Sequence, residues 1–235
     1  MTKADLHVHT CYSGDSTTSL VAIAGGCEKA GIDCVAITDH NCIEGGLRLR
    51  EMNLVQVIVG EEIFTSCGEL IGLFLEQLIP RGLSPLETIH RVRQQGGLVC
   101  IPHPLGRRRF SSHLSLGTIV AGRYAPSESV LSRNALLTAD VLEQVDMVEV
   151  MNSRTPFADT WVACGQLAAI CGSIPCAGSD AHTAQEIGRG SVEIDEFFDA
   201  QSFLTAMRQA RLSGVRSSVF IHLASTFAKL RRKPC

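Results

Sequence analysis

The sequence lacks several features that would assign it to well-known classes of protein. None of its ten cysteines forms a Cys-x-x-Cys pair, which excludes the common zinc-finger patterns. No apolar run reaches the roughly 18 residues that a membrane-spanning helix needs. The first nine residues carry an acid and two histidines where a signal peptide would have its apolar core. We therefore expect a reduced, cytoplasmic protein that does not contact a membrane.

The sequence also has no excess of positive charge. Its 21 Lys and Arg residues stand against 24 Asp and Glu residues, giving a net charge of −3. This balance argues against binding of duplex nucleic acid, which uses a basic surface, but not against binding of a single nucleotide or a short oligonucleotide. With 45 % hydrophobic residues, a chain of 235 residues is long enough to form one domain, 1–235, with a sizeable core.

The first apolar stretch carries the most informative residues. From Lys3 to Val8, apolar and polar side chains alternate, which is typical of a β-strand. Alternation places Asp5, His7 and His9 on one face of that strand. Two imidazoles and a carboxylate that converge at a strand end suit a divalent metal ion. Two surface histidines on an edge strand would explain a lone His-x-His equally well, but further clusters follow other strands.

Strand-like and helical segments alternate about seven times along the chain, which predicts parallel strands with helical crossovers. The predicted strands are 3–8, 33–38, 55–59, 69–75, 98–101, 145–150 and 174–177. Acidic and histidine side chains gather at the C-terminal ends of these strands. In a barrel, that end is where functional sites are built.

Two regions do not follow this alternation. Residues 105–133 are irregular and contain the run Arg107–Arg109, and such long segments are often lids or binding loops. After residue 195, the segments 198–210 and 218–230 have helical periodicity, so we expect a helical C-terminal portion over 195–235.

Four motifs, in this order, resemble those of the PHP domain, the polymerase and histidinol phosphatase superfamily. They are Asp5-Leu6-His7-Val8-His9 with Asp15, Thr38-Asp39-His40-Asn41, His103-Pro104 and Gly178-Ser179-Asp180-Ala181-His182. Gly60-Glu61-Glu62-Ile63 is similar to the segment that supplies a bridging glutamate. The resemblance covers residues 3–190. It implies a distorted seven-stranded (β/α)7 barrel of TIM-like type, with a metal site at the C-terminal ends of the strands.

The resemblance also implies two or three divalent ions, of manganese, iron or zinc. A first ion would be held by His7, His9, Glu62 and Asp180, a second by Glu62 and His103, and a third by Asp15, His40 and His182. Glu69 stands where many members have a histidine. As a ligand it would favour manganese or iron over zinc, but it could equally be a solvated residue at a strand edge. Glu149 is either a ligand of the second ion or a hydrogen-bond partner of a ligand histidine.

The chemistry implied by the resemblance is hydrolysis of a phosphate ester by a metal-activated hydroxide. Guanidinium groups suit the phosphate, and we expect Arg109 and Arg154, which follow strand-end motifs, to contact it. The run at 107–109 could instead be simply solvated. Asp39 could either orient a ligand histidine or provide the proton for the leaving alkoxide.

We therefore expect a metal-dependent phosphoesterase acting on a small phosphate ester, such as a nucleotide or a sugar phosphate. Three alternatives stay open: an exonuclease on short oligonucleotides, a non-catalytic metal-binding PHP module, and an amidohydrolase-like enzyme that cleaves C–N bonds. The sequence leaves the oligomeric state open.

Overall fold

A computed structural model describes residues 1–105, 135–155 and 158–217. The strands are β1 Thr2–Val8, β2 Cys34–Ile37, β3 Gln56–Phe64, β4 Glu69–Leu73, β5 Leu98–Ile101, β6 Met147–Asn152, β7 Ile174–Gly178, β8 Gly190–Ile194 and β9 Arg211–Gly214. The helices are α1 Leu20–Ala30, α2 Glu44–Met52, α3 Pro85–Gln94, α4 Ala139–Leu142, α5 Ala158–Cys171 and α6 Ala200–Met207. No helix in these ranges is long and apolar enough to cross a membrane.

The strands form one sheet in the order β7-β6-β5-β4-β3-β2-β1-β8-β9. The sheet curls so that the end of β1 meets the chain just after β7. There Val8 forms a bridge with Ala181, and the His9 N–H donates to the Ala181 carbonyl at 2.8 Å. The result is a nearly closed barrel, which confirms the predicted fold class and brings the chain after β7 to the histidines at the end of β1.

The predicted run of seven parallel strands is wrong in two places. Strand β4 is antiparallel to both β3 and β5. The turn between β3 and β4, in which the Thr65 N–H donates to the Gly68 carbonyl, is too short for a parallel crossover. Strands β8 and β9 add an antiparallel extension beside β1, so the described residues form nine strands.

The C-terminal prediction is also corrected in part. Helix α6 covers only Ala200–Met207 of the predicted helix 198–210, and strand β9 lies within the portion 195–235 that was expected to be helical. The predicted helix 218–230 and all but the first residue of the irregular segment 105–133 lie outside the described residues.

The barrel interior is apolar at the end opposite the histidines. Phe203 of α6 is fully buried there, and its ring centroid lies 5.0 Å from that of Phe197 and 5.3 Å from that of Phe74. Because β8 pairs Ile194 with Thr2, this aromatic group lies at the N-terminal end of β1. Burial of these rings closes that end and leaves the C-terminal end of the parallel strands for polar groups.

Candidate metal centre

Histidines and carboxylates from six separate segments meet at the C-terminal end of the barrel. They form four overlapping groups in which one ligand atom per residue lies within 4.8 Å of the others. The groups are His9, Asp15, His40 and His182; His7, Glu62 and His103; His7, His9 and Asp180; and His40, Glu62 and Glu69. All nine residues that the sequence assigned to metal binding are therefore brought together.

Strand β1 places His7 and His9 as the alternation predicts. Their Nε2 atoms are 3.1 Å apart, and both rings are buried. Asp5 does not join them. Its carboxylate accepts hydrogen bonds from the backbone N–H groups of Ser179 at 2.9 Å and Gly188 at 2.8 Å. The expectation that Asp5 converges with the two histidines is therefore wrong, and its contacts instead fasten the barrel seam.

Glu62 lies at the centre of the groups. Its Oε1 atom is 3.0 Å from His103 Nε2, and its Oε2 atom is 3.0 Å from His40 Nδ1 and 3.4 Å from His9 Nε2. The contact between Glu62 and His40 lacks hydrogen-bond geometry, and His40 Nδ1 is a buried nitrogen with no hydrogen-bond partner among the described residues. Ligand atoms that share a cation have this arrangement, and the central position fits a bridging carboxylate.

Asp15 joins two histidines from different segments. Its Oδ2 atom lies 3.1 Å from Nε2 of His40 and 3.1 Å from Nε2 of His182. The hydroxyl of Ser13 donates to the other oxygen at 2.7 Å and so fixes the carboxylate. The loop after β1 therefore supplies a second carboxylate to the site.

Two of the residues in the groups have backbone angles that L-amino acids rarely adopt. His103 has φ of 27° and Asp180 has φ of 53°. Such conformations persist where surrounding contacts hold them and are common at functional sites. At His103 the holding contact is a hydrogen bond of 2.8 Å from its N–H to Glu149 Oε2.

Glu69 lies at the edge of the centre. Its Oε2 atom is 4.0 Å from Nε2 of His103, and it shares a group with His40 and Glu62. This distance is compatible with a ligand role and does not require one.

The pKa values of the side chains in the centre indicate a site that suits a cation. Burial raises the pKa of Glu62 and of Asp180, but the histidines around them, His7 first, outweigh burial and bring both values well below the usual range. Burial also lowers the pKa of His40, yet Asp15 and Glu62 raise it to about 10. His9 behaves oppositely, because burial and the nearby His182 lower its pKa to about 3. Ionised carboxylates beside a neutral imidazole form a donor set that fits divalent cations.

Glu149 contacts two histidines of the centre but belongs to none of its metal-binding groups. Its Oε1 atom lies 3.0 Å from His7 Nδ1, and its Oε2 accepts hydrogen bonds from His103 N–H and from Asn152 Nδ2. Of the two roles that the sequence left open, these contacts match the partner of a ligand histidine.

Arg154 and Glu186 form a buried ion pair beside His182. Arg154 Nε lies 3.0 Å from Glu186 Oε1, and Arg154 Nη1 lies 2.8 Å from His182 Nδ1. The other oxygen of Glu186 accepts from the His182 N–H at 3.1 Å and from the Thr183 hydroxyl at 2.9 Å. Sequence reasoning missed Glu186. Its position four residues after His182 was the only available signal.

Asp39 is not a member of the metal-binding groups. Asp39 is fully buried and accepts two hydrogen bonds of 2.6 Å from the N–H and the hydroxyl of Thr10. These contacts tie the loop after β1 to β2, and proton donation by Asp39 stays a prediction. Arg109 lies outside the described residues.

The fold and this donor set define a metal-binding barrel protein whose site lies at the strand ends, as in barrel enzymes generally. Sequence models of two families match the chain: that of the PHP domain over residues 5–79, and a PHP-associated model over residues 166–212. The chain belongs to the PHP domain family, which confirms the resemblance seen in its motifs.

Individual proteins agree with this assignment. The uncharacterized protein MJ0417 of Methanocaldococcus jannaschii is 35 % identical over 196 residues, which cover 83 % of this chain and 71 % of that protein. A probable histidinol-phosphatase of Thermotoga maritima is 25 % identical over 220 residues, which cover 81 % of this chain and 88 % of that protein. The crystal structure of PsfC from Pseudomonas syringae superposes with a TM-score of 0.65 at 15 % identity, covering 97 % of this chain and 98 % of PsfC, and so shares the fold.

Proposed function

We propose that the substrate of this metal-dependent phosphoesterase is a small phosphate ester of the nucleotide or sugar phosphate type. The observation that carries the proposal is the position of Glu62, whose two oxygens lie within 3.5 Å of four different histidines. A carboxylate shared in this way suits neighbouring divalent ions. Such ions, when bound, would supply a water of lowered pKa and would neutralise phosphate oxygens.

The side chains of the chain itself would hold and orient these ions. His7, His9, Glu62 and Asp180 would form one site, Glu62 and His103 a second, and Asp15, His40 and His182 a third. We propose manganese, iron or zinc as the metal, with manganese or iron favoured if Glu69 takes part, because an added carboxylate makes the site harder.

Arg154 is our proposed phosphate contact in the described part of the chain. Its guanidinium lies beside His182, a residue of the third group, and Glu186 holds it in one orientation. A guanidinium fixed in this way offers charged donors to a phosphate oxygen. Arg109 is a second proposed phosphate contact, and Asp39 is proposed either to orient a ligand histidine or to provide the proton for the leaving alkoxide. The cytoplasmic location stays a prediction.

The test is phosphate release from a panel of nucleoside monophosphates and sugar phosphates by protein reconstituted with each metal in turn. We expect phosphate release from at least one ester and its loss in Asp180→Ala and Glu62→Gln. Release of mononucleotides from short oligonucleotides without release of phosphate would favour the exonuclease alternative. Wild-type rates in either variant would contradict the proposed site.

A further inference from the structure

We infer that Phe64 is a stacking platform for a planar ring of the substrate, so that esters carrying a nucleobase are preferred over plain sugar phosphates. This inference rests on the proposed function and narrows its substrate class. It concerns a residue that belongs to none of the metal-binding groups but lies directly beside them.

The position of Phe64 follows from the two-residue repeat of β3. Glu62 and Phe64 are two residues apart on one strand and so share a face, about 7 Å apart. Across the sheet, Phe64 pairs with Glu69 of β4, which belongs to the metal-binding groups. The Phe64 ring also contacts the ring of His40, with centroids 4.8 Å apart and planes at 50°. The phenyl ring therefore stands at the rim of the centre, one repeat outward from the bridging carboxylate.

The exposure of Phe64 is unusual for its surroundings. It is 38 % exposed, whereas its neighbours Glu62 and Ile63 are 1 % and 0 % exposed. Among the described residues of β3 and β4, Phe64 alone presents a large exposed apolar side chain beside the centre.

The backbone that carries this ring is fixed by hydrogen bonds on both sides. The Phe64 N–H donates to Asn41 Oδ1 at 2.9 Å, and the Phe64 carbonyl accepts from the Gly82 N–H at 2.6 Å. Asn41 itself has a left-handed backbone, with φ of 50°, and its N–H donates to the Glu62 carbonyl. A platform fixed in advance loses less entropy on binding than a mobile side chain.

The chemistry of the ring selects the class of ligand. Base–aromatic stacking is tolerant of base identity because every base has a π-face, and removing a stacking ring typically weakens binding about tenfold or more. A phosphate bound by the metal ions that Glu62 would hold would leave a base, joined through its sugar, within reach of a ring two residues further along β3. A plain sugar phosphate offers no planar group to the same ring.

The experiment compares a nucleoside 5′-monophosphate with ribose 5-phosphate, which has the same phosphate and sugar without the base. For the manganese-loaded full chain, kcat/KM and the dissociation constant are measured for both ligands. We expect the nucleotide to be preferred by wild type, and Phe64→Leu to lower that preference about tenfold. Phe64→Trp should retain it, since the indole also stacks.

Phe198→Leu is the matched control, because that ring is 90 % exposed and follows β8 at the opposite end of the barrel. It should change neither ligand's constants. An unchanged preference in Phe64→Leu, or equal binding of the two ligands by wild type, would overturn the inference. The proposed function fails separately, if no phosphate ester is hydrolysed, and the dissociation constants still decide the role of Phe64 in that case.

Discussion

The Nδ1 atom of His7 lies 3.0 Å from Oε1 of Glu149, with both side chains buried in the barrel. A carboxylate at this distance fixes the tautomer in which Nδ1 carries the proton and Nε2 keeps its lone pair. That Nε2 atom faces His9, Glu62 and Asp180 at 3.1, 3.5 and 3.8 Å. Glu149 therefore has the contacts expected of a residue that orients His7 for metal binding.

This relationship predicts the effect of Glu149→Gln. The amide keeps the shape of the side chain but removes the charge that orients His7, so metal affinity should fall by about 10- to 100-fold. Calorimetric titration of the metal-free protein with manganese measures the loss. Glu196→Gln, an exposed acid after β8, serves as the control and should bind metal like wild type. Unchanged affinity in Glu149→Gln would show that His7 needs no such partner.

The buried pair of Arg154 and Glu186 predicts a change in stability. Glu186→Gln removes a carboxylate partner of a nearly buried guanidinium, and breaking such a pair lowers the free energy of unfolding by about 3 kcal/mol. Denaturant unfolding of the metal-free protein measures this. Glu87→Gln is the matched control, because its pair with Arg91 is exposed at both ends and should contribute less than about 1 kcal/mol. Equal losses in the two variants would mean that the buried pair is not structurally important.

Glu186→Gln should have a second measurable effect, because the Glu186 carboxylate also accepts a hydrogen bond from the backbone N–H of His182. Loosening His182 should weaken the group that contains Asp15 and His40 more than the group that contains His103. The number of metal ions bound per chain should then fall without reaching zero. A uniform loss at all sites would argue for general unfolding instead.

Two adjacent glycines in α1 should respond in opposite ways to alanine. A Cβ at Gly26 would approach Ile187 Cδ1 to 2.7 Å and the Ala184 carbonyl oxygen to 2.9 Å, whereas a Cβ at Gly25 meets nothing within 4 Å. Gly26→Ala should therefore lower the free energy of unfolding by about 1–3 kcal/mol. Gly25→Ala should raise it by about 0.5–1 kcal/mol, since alanine favours the helix.

Thermal or denaturant unfolding of both glycine variants checks this pair. Stabilisation by both substitutions would show that α1 can move away from the turn at 184–187.

Glu69→His tests the proposed dependence of metal choice on that position. An imidazole at this position makes a metal site that includes residue 69 softer, so the ratio of zinc to manganese affinity should rise by about tenfold. Competition between the two metals, followed by elemental analysis, gives the ratio. A ratio equal to that of wild type would favour the other interpretation, a solvated strand-edge residue.

The sequence was sufficient for the parts of the site that depend on local pattern. Alternation in β1 put His7 and His9 on one face, and the order of the motifs indicated which segments share the centre. It failed for Asp5, which obeys the same alternation but is drawn to the N–H groups of Ser179 and Gly188 at the barrel seam. Those partners are more than 170 residues away, so no local pattern reveals them.

The missed elements have the same origin. Strand β9 is only Arg-Leu-Ser-Gly, and it is a strand because it pairs with β8 rather than because of its composition. Strand β4 has ordinary strand residues, but its direction depends on the short turn at 65–68. Glu186 looks like any solvated acid in the sequence until Arg154 is placed beside it. Long-range partners thus account for most of what the sequence did not reveal.

Metal removal is the most direct test of the central claim, that the nine clustered histidines and carboxylates form a hydrolytic metal centre. Elemental analysis would be combined with phosphate release from the best ester, before chelation, after chelation and after return of the metal. We expect two or three ions per chain, loss of phosphate release when the metal is removed and recovery when it is returned. Asp180→Ala should have neither full metal content nor phosphate release. Phosphate release that persists in metal-free protein, or a chain that takes up no metal, would contradict it.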